Sequence, residues 1–163
     1  MTLLIFDPTK NEPIHLVLSH CTHWRWKEFR CRCKLHNKMT DNECCKVDSL
    51  LVEGLENLRA LINKVKGPKP NGREWTLTIE ESNGSAYRCP VHNKAVGGVS
   101  NSSHVKGMAA DINCPGLGID ELAKFAEQVP QFKDGGIGRY YSQHFVHVDV
   151  LTTPKKGRRW VTK

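Results

Sequence analysis

Leu51, Leu55, Leu58, Ile62 and Val65 recur at steps of three and four, which places them on one face of a helix. Asp48 or Ser49 can cap its start, and Gly67-Pro68 stops it. Trp75 to Ile79 alternates apolar residues with Thr and reads as a strand. Pro90 to Val96 predicts a short helix ended by Gly97-Gly98, and Met108 to Ile112 a buried strand. Leu122, Phe125, Ala126 and Val129 mark a second amphipathic helix, with Asp120 as its N-cap and Pro130 just past its end. Gly135 to Tyr140 and Phe145 to Val150 predict a β-hairpin around Tyr141 to His144. Helices that precede and interrupt antiparallel strands make an α+β domain, an antiparallel sheet with flanking helices. Upstream, the apolar runs Leu3 to Phe6 and Ile14 to Leu18 predict an extended arm, followed by a loop-rich segment without a clear period. One structural domain is expected, with residues 1–45 as an arm and Cys-rich basic segment packed on a core of residues 46–163.

A chain of 163 residues with 39% hydrophobic and 25% charged residues has the composition of a folded globular domain. No segment reaches the ~18 apolar residues of a membrane span. The apolar start ends at Asp7-Pro8, so synthesis in the cytoplasm without a standard signal peptide is expected. The net charge of +7 favours polyanionic partners, among them nucleic acid, anionic lipid and bacterial wall polymers. The excess concentrates between Arg25 and Lys38 and again from Pro154 to Lys163, runs that most often form solvated faces. Trp24, Trp26 and Phe29 interleave with Arg25, Lys27 and Arg30, a composition that stacks on bases or sugars or else anchors the arm to the core.

The odd total of 7 cysteines argues against a closed disulfide framework. Cys31, Cys33, Cys44 and Cys45 crowd together, while Cys21, Cys89 and Cys114 stand apart. The crowded four raise a second, structural zinc, with His36 as a competing ligand. Adjacent cysteines are awkward tetrahedral ligands, and free thiols or a disulfide are the alternatives.

The chemistry gathers in three places. Period 2 along Phe145 to Val150 puts Phe145, His147 and Asp149 on one face and Val146, Val148 and Val150 on the other, as suits a strand at the floor of a cleft. His104 and Asp111 flank Gly107, Ala109 and Ala110, small residues that let backbone pack close to a site. Two imidazoles and a carboxylate supply three zinc donors and leave a fourth position for water. A core histidine with a turn or capping aspartate satisfies the same spacing, and the His-Glu-x-x-His helix of common metalloproteases is absent.

Ser102-Ser-His104-Val-Lys-Gly107-Met-Ala109-Ala-Asp111 resembles the Ser-x-His-x-x-Gly-x-Ala-x-Asp motif of the zinc D-Ala-D-Ala carboxypeptidase and vancomycin-resistance dipeptidase family. The resemblance continues in Ala86 to Asn93, in Gly135 to Tyr140, and in Phe145 to Asp149 followed by Arg159-Trp160, spanning residues 46–160. It implies that His104, Asp111 and His147 bind one catalytic Zn²⁺, on the small α+β fold shared with hedgehog signalling domains. It implies that Arg88 faces the scissile carbonyl, where a fixed guanidinium stabilises the oxyanion. Ser102 bonds within its loop or touches substrate, and Asn93 and Tyr140 shape the pocket. The implied substrates are peptidoglycan stem peptides, cut at the D-Ala-D-Ala end or at an internal bond by a carboxypeptidase or endopeptidase. A single-domain phage or prophage endolysin is one such enzyme, monomeric and acting on the cell wall after release during lysis.

One departure bears on mechanism. The dipeptidases place a Glu three residues before the last zinc ligand as base, and here that position is His144. His144 is therefore the expected general base and acid, brought over the metal by a bend at Gln143 to Phe145, with Asp149 orienting the ligand imidazole or exchanging roles with it. The missing carboxylate also supports a non-catalytic zinc-containing binding protein of the same fold. A nucleic-acid-binding zinc protein built on the Cys cluster is the other rival, although nucleic acid is not the expected partner.

Overall fold

A computed structural model describes residues 3–5, 21–33, 45–81, 85–153 and 155–163. Strand β1 (Leu3–Ile5) pairs antiparallel with β2 (Lys46–Asp48), and between them in sequence lies the one-turn helix α1 (Trp26–Phe29). The expected second run of the arm, Ile14 to Leu18, lies outside the described residues.

Helix α2 (Ser49–Lys66) follows the predicted stripe. Asp48 accepts the Leu50 N–H at 2.9 Å as its N-cap, and Gly67 ends it at φ +66°. Leu51, Leu55, Leu58 and Ile62 are fully buried, whereas Val65 in the last turn is exposed. The main sheet has the order β3 (Thr78–Ile79), β4 (Ala109–Asn113), β6 (Phe145–Asp149), β5 (Gly136–Tyr140), β7 (Arg158–Thr162). Its neighbours are antiparallel except β5 and β7, which run parallel. Ala110, Ile112, Ile137, Val146 and Val148 turn to one face and form the core with α2 and with α4 (Ile119–Ala126). A further short helix, α3 (Pro90–Ala95), has Pro90 at its start, where a missing N–H costs no hydrogen bond.

Three elements differ from the sequence expectation. The strand expected from Trp75 shrinks to two residues because the Asn63 side chain takes the place of a neighbouring strand. It accepts the Trp75 N–H at 2.8 Å and donates to the Trp75 carbonyl at 2.9 Å. Asp120 is not the N-cap of α4; Gly118 is, and the Asp120 carboxylate instead accepts the Tyr141 hydroxyl at 2.6 Å and faces Arg139. The basic tail is not simply a solvated face, since Arg158 to Thr162 forms β7 and Arg159 donates to the Gly135 carbonyl at 3.1 Å.

The aromatic residues of the arm settle inside the molecule. Trp24, Trp26 and Phe29 are each at most 2% exposed, so they anchor this segment rather than present rings for stacking. Among the described residues, no helix is long and apolar enough to cross a membrane.

The open face of the sheet is set by glycines. Pairing aligns Asp111 with His147, His147 with Gly138, and Gly138 with Trp160, so these four lie in a row across one face. A Cβ on Gly138 would sit 2.3 Å from Trp160 Cε2, and one on Gly136 would sit 2.5 Å from Asp149 Oδ2. Gly107 combines φ +72° with backbone contact, since a Cβ there would meet the Lys46 carbonyl at 2.5 Å. We expect Gly138→Ala to fold but lose about 1–3 kcal/mol, the usual cost of overpacking. Denaturant unfolding should show that loss, together with a changed near-ultraviolet signal from a displaced Trp160. An unchanged midpoint would mean that the indole does not need the glycine.

Candidate metal centre

His104 enters from the loop before β4, Asp111 from the middle of β4, and His147 from the middle of β6. All three are nearly buried, at 3%, 4% and 6% exposure, so hydrogen bonds must replace the water that they lose. Each has its rear atom fixed. His104 Nδ1 lies 2.7 Å from the Ala86 carbonyl and can only donate to it. Asp111 Oδ2 accepts the Ser85 N–H at 2.9 Å. His147 Nε2 lies 3.2 Å from Asp149 Oδ2 and donates to that carboxylate.

These bonds decide which atoms face forward. His104 Nε2 is 3.1 Å from His147 Nδ1 and 3.3 Å from Asp111 Oδ1, and His147 Nδ1 is 2.9 Å from Asp111 Oδ1. With the rear protons placed, the two forward nitrogens of neutral imidazoles and the carboxylate oxygen are three acceptors pointing at one another. Such a group needs a cation. Tetrahedral zinc with bonds of about 2.0–2.1 Å spaces its nitrogen and oxygen ligands about 3.3 Å apart, so the donor set fits that ion.

Without an ion a proton meets the same need. Burial disfavours a charged His147, but the Asp111 and Asp149 carboxylates outweigh it and push the pKa up to about 9. Burial dominates at His104 and lowers its pKa. For Asp111, burial favours the neutral acid, but the imidazoles prevail and hold the carboxyl well below its usual range.

Asp149 holds the back of the site. It is fully buried, and its Oδ1 accepts from Gly136 N–H at 3.0 Å, Leu151 N–H at 3.0 Å and Arg158 Nη2 at 2.8 Å, while Oδ2 serves His147. Burial alone would raise its pKa, yet these donors together lower it. With its oxygens engaged in this way, Asp149 fixes the His147 ring from behind and does not reach the forward atoms.

In front of the three ligands opens a cavity of about 560 Å³, lined in part by Arg88, Tyr140, Gln143, Phe145 and Trp160. Arg88 therefore does lie beside the site. Its Nε is buried with no hydrogen-bond partner among the described residues, and burial lowers its pKa despite the attraction of Asp111. Asn93 shapes the wall indirectly, donating from Nδ2 to the Val99 carbonyl at 2.8 Å. Ser102 Oγ accepts the His104 N–H at 3.3 Å and so serves the loop.

His144 is placed differently from the other expected residues. A bend is present, with His144 at φ +58°, but the residue is exposed in the β5–β6 turn and its ring is not part of the cavity lining. Its carbonyl accepts from Asn113 Nδ2 at 3.1 Å, which fixes the backbone of the turn.

Four contributors escaped sequence reasoning. Ser85 and Ala86 act through backbone atoms, which leave no side-chain signature. Trp160 was noticed only as part of a motif; its indole lies 5.2 Å from the His147 ring and donates to the Tyr140 hydroxyl at 3.1 Å. Arg158 was read with a basic tail, although alternation from Trp160 places it on the site face.

Residues 74–149 match the family model described as Peptidase M15. The match supports a peptidase of that family. It contains Arg88 and the three metal-ligand candidates, and it omits Arg158, Trp160 and the whole N-terminal segment. No curated protein matches the chain.

Three outcomes follow from the geometry of the candidate ligands. His104→Ala and His147→Ala should each abolish metal binding at this centre. Because His147 is protonated below about pH 9 in the ion-free protein, binding near neutral pH should release about one proton, and affinity should rise with pH until that value is reached. Calorimetry in buffers of different ionisation enthalpy measures the release, and its absence would contradict the arrangement. Asp149→Asn should retain the fold while metal affinity falls about 10–100-fold, which metal competition can measure.

Proposed function

We propose that this protein is a zinc metallopeptidase that hydrolyses peptidoglycan stem peptides, on the α+β fold of hedgehog domains and DD-peptidases. The observation that carries the reading is the convergence of three buried acceptors at the floor of an open cavity lined also by Arg88, whose Nε has no hydrogen-bond partner among the described residues. The Peptidase M15 match over residues 74–149 supports it from an independent direction. His104, Asp111 and His147 would hold the ion. When bound, zinc supplies the Lewis acidity that polarises a carbonyl and makes water nucleophilic near neutral pH.

The remaining work belongs to side chains. Arg88 brings an N–H donor without a partner to the cavity, available to an oxyanion as it forms. The Tyr140 oxygen is already engaged by Trp160, which leaves its own hydrogen to donate toward substrate. Trp160 packs over glycine beside His147 and keeps water from one side of that ligand. The net charge of +7 favours a wall carrying anionic polymers. For proton transfer, the exposed turn position of His144 argues for a rim residue. The bond cleaved, whether terminal D-Ala-D-Ala or internal, distinguishes a carboxypeptidase from an endopeptidase or endolysin.

Digestion of purified muropeptides followed by mass analysis should show loss of a terminal residue or scission of the stem, blocked by a chelator and restored by zinc. Intact muropeptides with a zinc-loaded protein would favour a binding protein of the same fold. Arg88→Ala should keep zinc while kcat drops about 10²–10³-fold with little change in KM. His144→Gly suits the left-handed turn and should leave kcat nearly unchanged. A fall of about 10²–10⁴-fold in that variant would instead return His144 to the role of proton shuttle.

A further inference from the structure

A second set of metal-type donors lies outside the cavity. The sulfurs of Cys31, Cys33 and Cys89 all fall within 4.8 Å of one another. Cys33 Sγ and Cys89 Sγ are 3.8 Å apart, and His92 Nδ1 lies 3.3 Å from Cys31 Sγ. Cys31 and Cys89 are buried, and Cys33 is half-buried. This is not the grouping read from sequence spacing. Cys45 is buried elsewhere, its thiol donating to the Trp26 carbonyl at 3.6 Å, while Cys44 and His36 lie outside the described residues. The partner that sequence proximity concealed is Cys89, 56 residues beyond Cys33.

We propose that Cys31, Cys33, Cys89 and His92 form a second, structural zinc site that ties the N-terminal segment to the peptidase core. Three sulfurs supply three of the four ligands of a structural tetrahedral site, and His92, beside Cys31 but outside the mutual 4.8 Å of the sulfurs, is the imidazole placed to complete it by a ring movement. Bonds of about 2.3 Å to sulfur place two thiolates about 3.8 Å apart around one zinc, and an imidazole nitrogen about 3.6 Å from a thiolate. Backbone amides already serve the sulfurs: Cys89 N–H donates to Cys31 Sγ at 3.3 Å, and His92 N–H to Cys89 Sγ at 3.3 Å. Such donors favour thiolate, the form that binds metal, against the burial that pushes the Cys31 thiol up to about 12, so metal binding there must displace a proton. Three thiolates around a divalent ion carry one net negative charge, and the basic run from Arg25 onward surrounds two of the ligands in sequence.

The site has a consequence for the cavity. Residues 85–89 carry the Ser85 amide on Asp111, the Ala86 carbonyl on His104, and Arg88. The same stretch is held to the N-terminal segment by Tyr87 N–H donating to the Phe29 carbonyl at 3.1 Å. A metal on Cys89 pins the residue next to Arg88, so one ion would brace the wall against which the other is held.

Cobalt substitution tests this without depending on activity. The wild-type protein loaded with Co²⁺ should show the near-ultraviolet thiolate-to-cobalt charge-transfer absorption. The nitrogen and oxygen ligands of the other centre cannot produce that band. Elemental analysis of purified protein should give two zinc ions per chain, one in His104→Ala and one in Cys33→Ser. The band should survive in His104→Ala and vanish in Cys33→Ser, which separates failure of this site from failure of the catalytic one. Wild-type protein that lacks the band, or whose native mass shows Cys33 and Cys89 joined as a disulfide, would overturn the assignment. Cys33 is half-buried, and the wild-type cobalt spectrum decides the matter even if its variant folds poorly.

Discussion

The structure turns on three hydrogen bonds that face away from the cavity. The Ala86 carbonyl behind His104, the Ser85 amide behind Asp111 and the Asp149 carboxylate behind His147 each occupy the rear atom of a ligand. Once those are made, the forward lone pairs have only one another, and holding three acceptors within 3.3 Å costs free energy unless a proton on His147 or a metal ion joins them. The candidate site is thus preorganised by donors and acceptors that lie behind its three forward atoms.

That constraint reaches far into the fold. Asp149 can sit behind His147 only because Gly136 has no side chain, and Trp160 can lie beside the ring only because Gly138 has none. The parallel pairing of β7 with β5 brings Arg158 to the same carboxylate, so the last strand of the sheet supports a ligand two strands away. On the opposite face, α2 and α4 cover the alternate residues of the same strands and supply the apolar burial that holds them in register. Opposed faces of β4 and β6 therefore serve stability and chemistry separately.

The N-terminal segment has a comparable division. Trp24, Trp26 and Phe29 enter the main core, which leaves none of these rings to stack on a base. Cys31, Tyr87 and Cys89 form a smaller buried cluster with Cys33 packed against it, close behind Arg88. Of the basic side chains between them, Arg25 and Lys27 are exposed, whereas Arg32 is half-buried and donates across the fold to the Glu80 carbonyl at 2.9 Å. Positive charge and the sulfurs that pack behind Arg88 thus come in part from one stretch of chain.

Local pattern carried a large share of this. The steps of three and four from Leu51 to Ile62 determined α2, and its caps at Asp48 and Gly67 were legible because capping is a property of adjacent residues. Period 2 from Phe145 to Val150 assigned His147 and Asp149 to one face, since alternation follows from strand geometry alone. The motif around His104 and Asp111 pointed to candidate ligands through resemblance, and the fold brings both beside His147. Tertiary structure decided everything that depends on residues distant in sequence or on backbone atoms. It brought Cys89 to Cys31 and Cys33 and left Cys45 on the Trp26 carbonyl, because folding can bring together sulfurs 56 residues apart in the chain. It turned the Asn63 side chain into a substitute strand partner for Trp75. It also left His144 outside the cavity, since a single residue at φ +58° redirects a side chain in a way that no hydrophobic period records.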